Sequence, residues 1–108
     1  YSDLPQKIIK HVTNFRGCIH AGAHAGVYVK QYARAFGKVY AVEPQGTNFH
    51  CLVNNIKDEN VTKLQACLSN EQKLACLYTN DYKNTGGYYM TPGRDFFCFT
   101  INDLVGDI

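Results

Sequence analysis

Apolar residues along the first two-thirds of the chain recur at spacings that alternate between strand and helix. A short apolar run indicates a strand, and a stripe repeating every third or fourth residue indicates a helix. We predict strands at 18–21, 38–43 and 61–68. A helix precedes each strand: the first is capped by Asp3 with Pro5 in its first turn, the second covers 27–36, and the third is capped by Thr47. This alternation predicts parallel pairing of the strands.

The pattern changes after residue 68. A strand is predicted at 73–78, and two aromatic segments, 88–90 and 96–99, are separated by a turn-forming stretch. No helical crossover fits between these segments, so we expect antiparallel or edge pairing. The aromatic residues are expected to form the core and edge of a hairpin, with an acceptor-stacking wall as the alternative. Thr100 is the expected cap of a short last helix.

These elements predict one α/β domain over residues 1–108. The expected fold is a Rossmann-like, mostly parallel sheet with helices on both faces and an antiparallel C-terminal hairpin.

Composition and charge exclude several classes of protein. The formal charge of +2 comes from scattered basic residues, which argues against nucleic-acid binding. No apolar run is long enough to span a bilayer, so no membrane association is expected. The five cysteines contain no C-x-x-C pair, which favours free, buried thiols and a cytoplasmic location.

The loop after the first predicted strand, from His20 to Gly26, carries the strongest functional signal. Gly22 and Gly26 lack a Cβ and permit close approach of a ligand to the backbone. Glu43 follows about twenty residues after Gly22, where an acid can accept hydrogen bonds from ribose hydroxyls. The pattern predicts a nucleotide-like cofactor, although a ligand-free tight turn and an ordinary strand-end acid would look similar.

Five segments, taken in order, carry a family resemblance: HAGAHAG at 20–26, VYAVEP at 39–44, NFHCLVNN at 48–55, LQACLS at 64–69 and FTINDL at 99–104. They resemble the FkbM-type S-adenosylmethionine-dependent methyltransferases over almost the whole chain. The resemblance implies a class I methyltransferase sheet, of which this chain would be the N-terminal cofactor-binding half, as a fragment or a reduced relative.

The resemblance also implies roles for individual residues. The segment containing His20, Gly22, Ala23, His24 and Gly26 would wrap the methionine end of S-adenosylmethionine. The Glu43-Pro44 pair would bind the ribose, and Cys67, at the end of the third predicted strand, would lie near the adenine. The family usually has an acid at the position of His20, and a histidine cannot replace an anion opposite the cofactor's ammonium group.

The implied reaction is O-methylation of a hydroxyl group on a sugar or small natural product. His24, His50 and Asp95 are the candidate bases, and none has a deciding sequence context. Cys18, His20 and His24 lack a fourth ligand, so no metal site is expected.

Two alternatives to a methyltransferase remain. One is a non-catalytic nucleotide-binding module or a piece of an NAD-dependent oxidoreductase, although the loop lacks the middle glycine of G-x-G-x-x-G. The other is an interaction domain that pairs with another copy through an exposed sheet edge.

Overall fold

The computed structural model describes residues 3–78 and 89–106. Its helices are α1 (Leu4–Ile9), α2 (Val27–Ala35), α3 (Gly46–Asn55) and α4 (Ile101–Val105). Its strands are β1 (Gly17–Ala21), β2 (Lys38–Val42), β3 (Val61–Leu64), β4 (Cys67–Leu68), β5 (Lys73–Tyr78), β6 (Tyr89–Pro92) and β7 (Phe96–Phe99). The chain is therefore of the α/β class, as predicted.

The first sheet is parallel, with the strand order β1-β2-β3. Its central strand β2 contains residues that tolerate burial on both sides, and four of its five positions are buried. Val39 and Ala41 pack with side chains of α2 and α3, and Tyr40 and Val42 pack on the opposite face with Leu104 of α4. Helices therefore lie against both faces, and the predicted parallel pairing of the strands is confirmed.

The second sheet is mixed, with hydrogen-bonded neighbours in the order β4-β7-β5-β6. Both β6 and β7 run antiparallel to β5, which confirms the predicted antiparallel pairing. The two aromatic segments do not form a hairpin with each other, because β5 lies between them. Residues 93–95 form an insertion between the two ladders, because Ala75 is the register partner of both Pro92 and Phe96. A Cβ built on Gly93 would lie 2.5 Å from the sulfur of Cys76, so only glycine fits where the insertion passes over β5.

The single strand predicted at 61–68 is wrong. It divides into β3, which pairs with β2, and β4, which pairs with β7. The ladder with β2 ends after the amide of Glu43 donates to the carbonyl of Leu64, because the next amide on that side, of Gln45, donates to the Glu43 side chain instead. Cys67 therefore belongs to the second sheet and not to the end of the third strand.

Two predicted helix starts also differ from the structure. Asp3 occupies the cap position of α1, but its side chain makes no capping hydrogen bond. The cap of α3 is Gln45 and not Thr47, because the Gln45 side chain accepts a 2.6 Å hydrogen bond from the amide of Asn48. Thr100 caps α4 as predicted, in a reciprocal capping box with Asp103.

Candidate cofactor site

The loop after β1 is attached to the end of β2. The last residues of the two strands, Ala21 and Val42, are register partners, so both strands end at the same edge. The amides of Gly22 and Ala23 both donate to the carbonyl oxygen of Val42, at 2.9 and 3.0 Å. The candidate loop thus lies at the carboxyl edge of the parallel sheet, where ligands bind in open α/β sheets.

Three residues of this loop have positive φ: Gly22 at 69°, His24 at 55° and Gly26 at 97°. A Cβ on Gly22 would meet nothing within 4 Å, so the backbone there borders open space. A Cβ on Gly26 would lie 2.8 Å from Cγ1 of Ile56 and 2.9 Å from Cδ1 of Leu52. Gly26 therefore serves the packing of α3 against the start of α2, and Gly22 leaves room for a ligand.

Glu43 is buried beneath this loop, with 6% of its surface exposed. Its Oε1 accepts a 2.7 Å hydrogen bond from the amide of His24, and its Oε2 accepts a 3.0 Å bond from the amide of Gln45. A carboxylate has about four acceptor positions, so these two bonds leave acceptor capacity on both oxygens. Glu43 thus joins the segments that follow β1 and β2.

His20 lies on β1, and its ring packs on the aromatic side chains of α2. The ring centroids of Tyr32 and Tyr28 are 5.4 and 6.4 Å from that of the histidine. Burial lowers the pKa of His20 below its ordinary value, and the charge of Glu43 opposes this with a smaller effect. The neutral imidazole is therefore favoured near neutral pH.

Pro44 and Cys67 complete the residues predicted to contact a cofactor. The carbonyl of Pro44 lies 3.4 Å from the side-chain amide of Gln65, which donates to it. Cys67 is buried in a cluster with Ala75 and Cys98. Burial, reinforced by Cys98 and Glu43, raises the pKa of Cys67 to about 12, which agrees with its interpretation as a small core residue and not a nucleophile.

The three candidate bases occupy different elements. His24 is in the loop itself. His50 is exposed on α3, where its Nε2 lies 3.0 Å from the side-chain nitrogen of Asn54. Asp95 is in the insertion between β6 and β7. Of the three, only His24 is part of the loop that meets Glu43.

The Gln45 cap and the support from α3 have no clear signal in the sequence. Glutamine is not among the usual capping residues, so its position before α3 does not predict a cap. The apolar stripe that contains Leu52 and Ile56 predicted a helix, but not that this helix lies beneath Gly26. The buried side of the candidate site is therefore visible only in three dimensions.

Two further surveys of the described residues bear on function. Among residues 3–78 and 89–106, no three histidine, cysteine or carboxylate side chains are grouped so that they could hold a metal ion. Within the same ranges, no helix combines the length and apolar character that a membrane crossing requires. A cavity of about 290 Å³ is lined by residues of the second sheet and its approach, including Lys73, Met90 and Thr91, and not by the loop.

No known family model matches the chain, and a search of curated proteins finds no significant relative.

Proposed function

We propose that this chain is the cofactor-binding part of an S-adenosylmethionine-dependent methyltransferase that methylates a hydroxyl group on a sugar or small natural product. The observation that carries the proposal is the bond between His24 and Glu43 at the carboxyl edge of two parallel strands. It supports the proposal because it brings an open glycine backbone and a buried acid together at one edge of the sheet. The resemblance to FkbM-type enzymes supplies the identity of the cofactor.

Each residue has a distinct part in the proposed site. Gly22, Ala23 and His24 would wrap the methionine end, because the backbone at Gly22 borders open space. Glu43 would accept hydrogen bonds from the ribose hydroxyls with the acceptor positions that its backbone partners leave unused. Pro44 would border the ribose, and Cys67 would contribute an apolar thiol near the adenine. When bound, S-adenosylmethionine supplies an electrophilic methyl group.

The protein's contribution to the reaction would be mainly orientation. His24 is the candidate base because, of the three, it is the one carried by the loop. The neutral imidazole of His20, packed against α2, cannot provide the negative charge that the family usually places there. We therefore propose that the cofactor's ammonium group is held without a charged partner at this position.

A second candidate function is a non-catalytic domain that retains the fold. It is favoured by a specific observation: both carboxylate oxygens of Glu43 already accept backbone hydrogen bonds, and the side chain is almost fully buried. In that case Glu43 only fastens the loop. Such a domain would act through an exposed strand edge, for example by pairing with a second copy. In either case we propose a cytoplasmic location, since all five cysteines are free.

Thermal unfolding with S-adenosylmethionine, S-adenosylhomocysteine and NAD in parallel tests the proposal. A ligand at one hundred times its Kd adds about 2.7 kcal/mol to the free energy of unfolding. We expect stabilisation by the two sulfur compounds and none by NAD. Absence of any shift on folded protein would favour the non-catalytic domain, and a shift with NAD alone would favour an oxidoreductase.

A pair of variants ties the ligand to Glu43. Glu43→Ala should abolish the stabilisation by S-adenosylhomocysteine, because the ribose acceptor is removed. Glu59→Ala removes the same charge from an exposed residue and should leave the stabilisation intact. Isothermal calorimetry at a temperature where each variant is folded separates lost binding from lost stability. Equal binding by wild type and Glu43→Ala would refute the ribose assignment.

A further inference from the structure

Three sulfur atoms meet inside the second sheet. Cys67 on β4 and Cys98 on β7 are register partners in neighbouring parallel strands, so their side chains leave the sheet on the same side. Both are buried, with 4% and 0% of their surface exposed. The thiol of Cys98 donates to the thioether sulfur of Met90, at 3.8 Å.

We propose that Cys67, Cys98 and Met90 form a binding site for a soft monovalent cation of the Cu(I) class. Thiolate and thioether sulfur are the ligands that select such ions over harder divalent metals. The family resemblance implies no metal at this place. A search for histidine, cysteine and carboxylate ligands also misses the site, because its third ligand is a methionine. The site shares Cys67 with the proposed adenine contact, whereas Cys98 and Met90 have no part in the proposed cofactor site.

The spacing between the sulfur atoms of Cys98 and Met90 fits a three-coordinate ion. Metal–sulfur bonds of about 2.3 Å in a trigonal plane place the sulfurs roughly 4 Å apart. The distance of 3.8 Å between Cys98 and Met90 matches this spacing before any ion is bound. Cys98 and Met90 thus require little movement to bind one ion, and Cys67 extends from the neighbouring strand on the same side of the sheet.

The surroundings provide an entry path and a compensating charge. Met90 is 41% exposed and, together with Lys73, lines the cavity of about 290 Å³. Lys73 is also the register partner of Cys98, so its side chain leaves the sheet on the same side as the thiol. An ion can therefore approach past the thioether, on the side of the sheet from which the Lys73 side chain also extends.

The binding step balances without an oxidant. Two S–H bonds break, two sulfur–metal bonds form, and two protons pass to solvent. Met90 donates a lone pair to the ion and releases no proton. One monovalent cation with two thiolates gives a net charge of −1, which Lys73 would offset by turning toward the ion from Glu71, 3.9 Å away.

Anaerobic titration of the reduced protein with Cu(I), buffered by the competing chelator bicinchoninate, tests the proposal. We expect one ion per chain, and X-ray absorption should show three sulfur neighbours and no nitrogen or oxygen ligand. Cys67→Ala and Cys98→Ala should each lower the affinity at least a hundredfold. Met90→Leu conserves volume, keeps the fold and should lower the affinity about tenfold.

The other three cysteines provide the matched control. A Cys18→Ser, Cys51→Ser, Cys76→Ser triple variant keeps the proposed ligands and should bind Cu(I) as the wild type does. Loss of Cu(I) binding in this triple variant would overturn the proposal. An affinity for Cu(I) that neither Met90→Leu nor Cys67→Ala changes would also overturn it. Neighbouring strands also bring such cysteine pairs within disulfide reach. If mass spectrometry finds a Cys67–Cys98 disulfide that persists under reducing conditions, the thiols are not free to bind an ion and the proposal is overturned.

Discussion

The amide of His24 donates a 2.7 Å hydrogen bond to Oε1 of Glu43, so the loop after β1 is fastened to the residue that ends β2. The other oxygen of this carboxylate accepts from the amide of Gln45. One side chain thereby fixes the relative positions of two segments that any ligand at this edge would touch.

Removal of the Glu43 side chain should destabilise the protein even without a ligand. Glu43→Ala leaves the amides of His24 and Gln45 without their charged acceptor, which should lower the free energy of unfolding by about 2 kcal/mol. Urea unfolding monitored by circular dichroism measures the loss. Glu59→Ala, at an exposed position, should change it by less than about 0.5 kcal/mol. Equal effects of the two variants would contradict the fastening role of Glu43.

The two glycines of the loop should respond differently to alanine. Gly26→Ala combines positive φ with a Cβ at 2.8 Å from Ile56, and should lower the free energy of unfolding by about 2 kcal/mol or more. Gly22→Ala introduces positive-φ strain alone, because nothing lies within 4 Å, and should lose only about 1 kcal/mol. The same denaturation experiment compares them, and a greater loss for Gly22→Ala would refute the packing described for α3.

His24 offers a way to remove the imidazole while keeping the loop. His24→Gly retains the amide that donates to Glu43 and suits the φ of 55°, so the free energy of unfolding should change by less than about 1 kcal/mol. His24→Val also lacks the imidazole, but its branched side chain disfavours positive φ and should make the protein less stable than the glycine variant. If the imidazole is the base, both variants lose methyl transfer while His24→Gly still binds S-adenosylhomocysteine. Normal turnover by His24→Gly would exclude His24 as the base.

His20 should make stability depend on pH in the mildly acidic range. Burial lowers its pKa in the folded state below the ordinary value of 6.5, and the charge of Glu43 only partly opposes this. Below pH 6.5 the unfolded chain therefore binds a proton that the folded protein binds only at lower pH. Stability from this residue is fully present above pH 6.5 and is lost as the pH falls toward the folded pKa.

Thermal melting between pH 5 and 8 measures this effect. His20→Phe keeps an aromatic ring against Tyr28 and Tyr32 and should flatten the slope below pH 6.5. His50→Gln removes an exposed histidine of α3 and should leave that slope unchanged. A slope that persists in His20→Phe would assign the pH dependence to another group.

Asn60 should contribute to stability through the end of α2. Its side-chain amide donates 2.9 Å hydrogen bonds to the carbonyls of Ala33 and Phe36, which have no further helical turn to accept from. Asn60→Ala should lower the free energy of unfolding by about 1–3 kcal/mol. Asn60→Asp has nearly the same shape but turns an acceptor toward the two carbonyls, so we expect it to lose more. Chemical denaturation of both variants checks the order, and a milder effect of aspartate would contradict these contacts.

The periodicity of the sequence was enough to predict the parallel sheet and its helices. Local patterns determine these elements: the stripe of α3, the buried run of β2 and the capping pair of Thr100 and Asp103. The meeting of the glycine loop with Glu43 also followed, because parallel strands end at the same edge.

Features that depend on the end of one ladder or on an insertion could not be predicted in this way. The division between β3 and β4 depends on the amide of Gln45, a residue of another segment that donates to Glu43. The approach of Met90 to Cys98 requires residues 93–95 to carry the chain from one edge of β5 to the other. The orientation of His20 toward Tyr32 and the two backbone partners of Glu43 likewise depend on tertiary packing, which a single sequence does not display.

Leu104 of α4 lies on the face of β2 formed by Tyr40 and Val42. During synthesis these two side chains leave the ribosome long before Leu104, so this face of the first sheet is not fully covered until α4 emerges. Contacts so distant in sequence slow folding and prolong the exposure of apolar surface. The nascent chain would therefore be most exposed to chaperones and to aggregation in the interval between the synthesis of β2 and that of α4.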